Sequence, residues 1–147
     1  MTPDALFAVC MRVAMLGWLL LIALPRWRWT TGLITSVVVP AMMATVYAFL
    51  VIPRIERILN GFGSVASISA LFQDPAVMVA GWVHYLAFDL FVGTWEVDDS
   101  RRLGIHHLLV VPCLMLTLMA GPLGFLLYLL IRLSRRRLLV SWGSSLA

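Results

Sequence analysis

The sequence predicts an all-α integral membrane protein, a four-helix bundle forming one transmembrane domain over residues 1–147. Two observations carry that prediction. Hydrophobic residues make up 62% of the chain and charged residues 12%, whereas a soluble domain is about half apolar and about a quarter charged. So little charge does not cover a water-facing surface. The apolar residues also fall in four runs, near 5–24, 33–52, 76–95 and 108–131. Each is close to the ~20 residues that a helix needs to cross a ~30 Å hydrocarbon core.

Breakers separate the runs. Pro25, with Arg26 and Arg28, follows the first. That run carries Asp4 instead of a positively charged start, and no small-x-small site precedes Pro25, so it reads as a retained helix and not a cleaved signal peptide. Pro53-Arg54 follows the second run, and Asp74-Pro75 precedes the third. The connection over 53–75 is the longest. In it Ile55, Ile58, Leu59 and Phe62 recur at helical spacing opposite Arg54, Arg57 and Asn60. That pattern predicts either a short amphipathic helix in the membrane interface, ended by Gly61 and Gly63, or a loop tucked against the bundle. In the fourth run, Gly121, Pro122 and Gly124 predict close packing and a kink. Residues 132–147 read as a basic tail.

All eleven basic residues are arginines, and the net charge is +4. They flank apolar spans and form no stripe on a water-facing surface, which argues against a nucleic-acid partner and for membrane lipid. Four spans would put both termini and the second connection on one side, with Arg54, Arg57, Arg132, Arg135, Arg136 and Arg137. Arg26, Arg28, Arg101 and Arg102 would lie on the other. Six against four predicts a multi-pass protein with both termini in the cytoplasm. Cys10 and Cys113 fall inside predicted spans and suggest no disulfide framework.

Polar groups at membrane depth carry the functional signal, because each costs a few kcal/mol unless paired or hydrated. The third run holds most of them. At 100° per residue, Trp82, Tyr85, Asp89, Gly93 and Glu96 share one stripe, and His84, Phe88, Phe91 and Trp95 form a second beside it. Both stripes are expected to face into the bundle. Asp89 is the sharpest single signal, about 20 Å from the start of its predicted span and about 10 Å from the end. It reads as a proton donor-acceptor, a metal ligand or a polar substrate anchor, and the alternative is a helix–helix hydrogen bond that fixes packing. Arg12, the one arginine well inside a span, either reaches toward Asp89 or snorkels to the nearer surface.

After the third run, Glu96, Asp98, Asp99, Arg101 and Arg102 alternate in sign blocks before His106-His107. One reading is a solvated, salt-bridged connection. The other brings Glu96 and His107 to His84 or Asp89 as a metal site, a donor set suited to iron, manganese or zinc. No HxxxH or ExxH pairing is present, no serine sits in an elbow-like sequence, and Gly61-Phe62-Gly63 is too short for a phosphate cradle.

The sequence GWVHYLAFDLFVGTWEVDDSRRLGIHH (81–107), followed by PCLMLTLMAGPLGFLLY (112–128), resembles the small membrane proteins related to the plant abscisic-acid-deficient-4 protein. The resemblance is strong over about half of the chain, and in the first two spans it extends only to length and position. The plant members' tryptophan-x-histidine and aspartate-leucine-phenylalanine map to Trp82, His84 and Asp89-Leu90-Phe91. The lack of a plastid transit peptide suggests a bacterial inner-membrane protein. The resemblance implies a link to xanthophylls, through the conversion of violaxanthin to neoxanthin. That step opens an epoxide and creates an allene, an isomerisation that needs an acid at oxygen and a base at carbon.

Three functions follow as expectations. The first is a carotenoid-modifying isomerase, acting on a xanthophyll, carotenoid, apocarotenoid or retinoid. In it His84 and Asp89 transfer protons, Glu96 and His107 support them, and Trp82, Tyr85, Phe88, Phe91 and Trp95, with Arg12, bind the polyene. The second is a non-catalytic pigment-binding or assembly subunit of a larger membrane complex or homo-oligomer, with a bound carotenoid as its cofactor. The third is a small transporter or proton-linked channel built by oligomers, using Asp89 and Arg12 as pathway charges.

Overall fold

Thr2 opens the first helix, α1 (Pro3–Ala23), by accepting the Ala5 amide on its hydroxyl at 3.3 Å, and Pro3 supplies the first turn. The computed structural model describes residues 2–144, with side chains through residue 135. Pro25 and the turn after it reverse the chain, which re-enters helix at Thr30. The next stretch, Thr30–Val38, is π-helical, and it runs straight into α2 (Val39–Val51). Pro40 explains the wider register: it has no amide to give, and a one-residue slip ahead of it re-pairs the backbone. The Val39 amide accordingly bonds the Ile34 carbonyl, and Thr35 donates its hydroxyl to the Thr30 carbonyl at 2.8 Å.

Pro53 disturbs the ladder again through a short 3-10 turn, yet helix continues as α3 (Ile55–Asn60) and a second 3-10 turn to Gly63. Thr30–Gly63 is thus one helical run of 34 residues. The connection predicted over 53–75 holds two short helices, α3 and then α4 (Val65–Leu71), which Ser64 caps. Ile55, Leu59 and Phe62 are exposed, as are Glu56, Arg57 and Asn60.

Asp74 then does two jobs. Its carboxylate caps the amide of Ala76 at 2.9 Å, opening α5 (Pro75–Arg102), and it takes Arg57 at 3.1 Å and Arg54 at 3.6 Å. The long helix α5 is 28 residues, about 42 Å, so the acidic-basic segment expected as a connection is helix. Glu96, Val97 and Ser100 in it are buried. Gly104, at φ +64°, turns the chain into α6 (His107–Ala120).

The fourth predicted span is corrected most. Gly121, at φ +31° and ψ −90°, ends α6 after 14 residues, and Pro122 starts α7 (Pro122–Ser144). The chain folds back there. Gly124 lies so close to the Thr117 backbone that any Cβ would collide with it. Tyr128 and Arg132 return to Asp99, near the end of α5 at which α6 began. The pair α6–α7 is therefore a hairpin that enters from one end of the bundle, turns beside Asp89 and leaves by the same end. The helices long and apolar enough to cross a membrane are three among the described residues: Pro3–Ala23, Thr30–Gly63 and Pro75–Arg102. Four spans no longer place the termini together: Pro3 lies at the Pro75 end of α5 and Arg132 at the Arg102 end. Helix also continues past Arg132, where a tail was expected; the side chains of Arg136 and Arg137 and residues 145–147 lie outside the described part.

The core runs along α5. Trp18, Leu21, Met43, Val83, Leu90, Val97, Leu114 and Tyr128 are almost completely buried. Close approach to α1 depends on two glycines: a Cβ on Gly93 would come within 2.7 Å of the Trp18 ring, and one on Gly17 within 2.9 Å of Leu90.

A pair of buried carboxyls at the tip of a helical hairpin

Asp89 sits at the centre of α5, about 21 Å from Pro75 and about 20 Å from Arg102 along the axis. Its two oxygens lie over Gly121, where an added Cβ would approach them to 2.9 and 3.1 Å. The hairpin turn thus rests on the carboxyl. Two turns further along the same face, about 10 Å away by helical rise, Glu96 is fully buried and accepts the Thr117 hydroxyl on Oε1 at 3.1 Å. Each carboxyl keeps one buried oxygen, Asp89 Oδ2 and Glu96 Oε2, without a hydrogen-bond partner. A buried polar atom left in that condition costs free energy, so such atoms in a fold are few and call for a reason.

The same stripe continues away from the hairpin. The Tyr85 hydroxyl donates to the Leu118 carbonyl at 3.2 Å, and the Trp82 indole donates to Met11 Sδ at 3.2 Å. Trp82 is flanked by Tyr85 and Phe7, with ring centroids 5.6 and 6.0 Å away. Because α6 and α7 stop at Gly121, no helix of the hairpin covers Trp82, which is 40% exposed. An aromatic lane therefore leads from the Pro75 end of the bundle up to Asp89.

The second stripe goes elsewhere. Phe88 and Phe91 are exposed beside α2, and with Pro40, Ala44 and Ala87 they line a shallow apolar cavity of about 440 Å³. The His84 ring stacks between Phe88 at 4.5 Å and Tyr47 at 5.7 Å. It also lines a neighbouring cavity of about 290 Å³ under Phe62 and Phe72. Trp95, expected on the same groove, instead packs against Phe125 and Tyr128 of α7, with the Arg132 guanidinium 5.8 Å from its ring centre.

Several predicted groupings do not assemble. His84 turns from Asp89 toward α2 because the two differ by about 140° around the helix, so they form no acid–base couple. His107 lies at the far end of α6 with Nε2 on the Ile22 carbonyl at 3.0 Å, about 15 Å in helical rise from Thr117. His84 is about 18 Å from Glu96 by the same measure. The four proposed metal ligands are therefore dispersed, and among the described residues no three histidine, cysteine or carboxylate groups converge on a metal site. Arg12 is exposed on α1 and makes no ion pair with Asp89. Both stripes were expected to face inward, yet the Phe88 stripe faces outward.

Sequence reasoning missed Thr117 and Tyr128, and it read Asp99 only as one charge of the block before His106-His107. The Tyr128 hydroxyl donates to Asp99 at 2.7 Å, and Arg132 meets the same carboxylate at 2.6 Å. The Gly121-Pro122 pair was the signal: glycine past a helix end followed by proline in a first turn is a stop and a restart.

A family model described as ABA DEFICIENT 4-like matches residues 5–128, and the chain belongs to that family. No curated protein and no solved structure matches the chain.

Proposed function

We propose that this protein is a membrane enzyme that isomerises a carotenoid or related polyene, with Asp89 as its proton-transferring group and the buried Glu96 supporting it. The family is associated with neoxanthin synthesis in plants, and the apolar helices fit a membrane setting. The observation that carries the reading is the pair of carboxyls on one face of α5, each with a buried oxygen that no group of the fold hydrogen-bonds, and of the two Asp89 is the one that is not fully enclosed. A polyene lying along Phe7, Trp82 and Tyr85 brings its oxygenated end to Asp89 under the hairpin tip. Asp89, protonated, gives its proton to the epoxide oxygen as the C–O bond breaks. The carboxylate so formed takes a proton from the neighbouring polyene carbon as the new double bond forms, while the buried Glu96, about 10 Å along the helix, supports it from within the bundle. Atoms balance with no oxidant or reductant, and Asp89 ends as it began. The test is a pigment profile from a carotenoid-producing host expressing the chain. A new polyene that vanishes with Asp89→Asn, but persists with Asp98→Asn at the half-exposed partner of Arg102, supports the reading. Unchanged conversion by Asp89→Asn sinks it.

A second reading, a pigment-binding or assembly subunit, draws on the outward groove of His84, Phe88 and Phe91. A pigment that copurifies unaltered, and is lost with Phe88→Ala while Asp89→Asn retains it, would select this reading.

The hairpin also changes the expected orientation. Arg26, Arg28, Arg101, Arg102, Arg132 and Arg135 gather at one end and Arg54 and Arg57 at the other. Six against two supports the reading that the arginine-rich end faces the cytoplasm of a bacterial inner membrane, with the N-terminus on the other side.

A further inference from the structure

At the arginine-rich end, α1 finishes beside the turn between α5 and α6, and a half-open cavity of about 500 Å³ lies between them. Arg26, Arg101, His106 and His107 line it, together with Pro25, Ser100, Gly104 and Ile105. No carboxylate is among these residues. The acids nearest in sequence are engaged elsewhere: Asp98 with Arg102 at 2.8 Å, and Asp99 with Arg132 and Tyr128. Arg101 is braced across the cavity by Nη1, which donates to the Pro25 carbonyl and the Thr31 hydroxyl, both at 3.3 Å. Its Nε and Nη2 make no hydrogen bond, and Arg26 makes no ion pair or hydrogen bond. His106 turns Nδ1 to the Leu108 amide, which leaves Nε2 free. His107 holds the Ile22 carbonyl with Nε2, which leaves Nδ1 free.

The depth of this cavity is marked independently. Trp27 and Trp29 are exposed in the adjoining turn, and the Arg28 guanidinium lies 4.6 Å from the Trp29 ring centre. Exposed tryptophans with arginine at a helix end mark the headgroup level of a bilayer. Concentrated cationic donors, no competing carboxylate and headgroup depth specify one ligand chemistry.

We propose that this cavity binds a phosphate group, with Arg26 and Arg101 as its principal donors and an anionic phospholipid headgroup as its source. The site is separate from the Asp89–Glu96 pair and stands whether or not that pair is catalytic. Native mass spectrometry of the full-length chain in a non-ionic detergent tests it, with equimolar phosphatidylglycerol and phosphatidylcholine added. A second arm measures the melting temperature with inorganic phosphate alone. Preferential retention of phosphatidylglycerol is expected, weakened about fivefold by Arg26→Gln, which removes one cation near the surface. Arg57→Gln, at the opposite end of the bundle, is expected to leave retention unchanged. Stabilisation by inorganic phosphate that Arg26→Gln abolishes, without lipid preference, keeps the phosphate site and replaces its source. Equal retention of the two lipids with no effect of phosphate overturns the proposal. So does a preference that Arg26→Gln and Arg57→Gln reduce alike.

Discussion

The two stripes of α5 have nearly the same depth and opposite fates. One carries Asp89 and Glu96 inward, against a hairpin that fits them closely: Gly121 under one carboxyl, Thr117 against the other. The other carries Phe88 and Phe91 outward, 59% and 53% exposed, beside small residues of α2. The difference lies in what each stripe requires. Carboxyls in hydrocarbon need protein around them, whereas aromatic rings are stable against either lipid or protein. Polar residues therefore identify a buried face from sequence far better than aromatic ones do.

Substitutions sharpen this contrast. The largest effect belongs to the carboxyl face: Asp89→Asn is expected to lower polyene conversion by about 10² to 10⁴-fold, the usual worth of a positioned acid or base, and Glu96→Gln by less. Conversion is read as product per unit of protein in isolated membranes, and a loss below tenfold with Asp89→Asn would move the pair into a packing role. Next comes Gly124→Leu, which drives a side chain into the Thr117 backbone. It is expected to destabilise the fold by about 1–3 kcal/mol, seen as a lower melting temperature in detergent; an unchanged value would mean that α7 does not fold back on α6. Tyr128→Phe removes the buried donor to Asp99 and is expected to cost about 1 kcal/mol by the same measurement. On the outward face, Phe88→Ala is expected to stay within about 0.5 kcal/mol in stability. Its effect, if the groove holds pigment, is lost copurification. The smallest effect is expected for Arg12→Gln, since Arg12 faces outward and pairs with nothing; a strong loss of conversion there would restore it to the site.

Most of the helical architecture was legible in the sequence. The stop at Pro25 and the start at Asp74-Pro75 follow from breaker and capping chemistry, and the structure keeps both. The membrane reading and the family also follow from residues on the page. What escaped was geometry on the far side of a turn. A run of 24 apolar residues at 108–131 has the length of a span, and apolarity alone does not distinguish one crossing from a hairpin of two short arms. Only Gly121-Pro122 carried that information. The same run hid the partners of the acids: Thr117 and Tyr128 read as membrane filler until α7 folds back. Charge counting then failed on orientation, because its sum depended on how many times the chain crosses. His84 and His107 were legible as polar residues but not as distant ones, since separation around and along a helix becomes decisive only when the neighbouring helices are in place.

The half-depth hairpin also shapes the molecule as a whole. In the leaflet that it occupies, five helix cross-sections displace lipid: α1, the run through α2, α5, α6 and α7. In the opposite leaflet three long helices do, with only the short α3 and α4 beside them. A body broader in one monolayer than in the other is a wedge, and lipids packed around it accommodate unequal areas by bending. The fold that holds the two carboxyls is therefore expected to favour curved membrane, with the arginine-rich end on the convex surface, which enrichment on small vesicles over large ones would test.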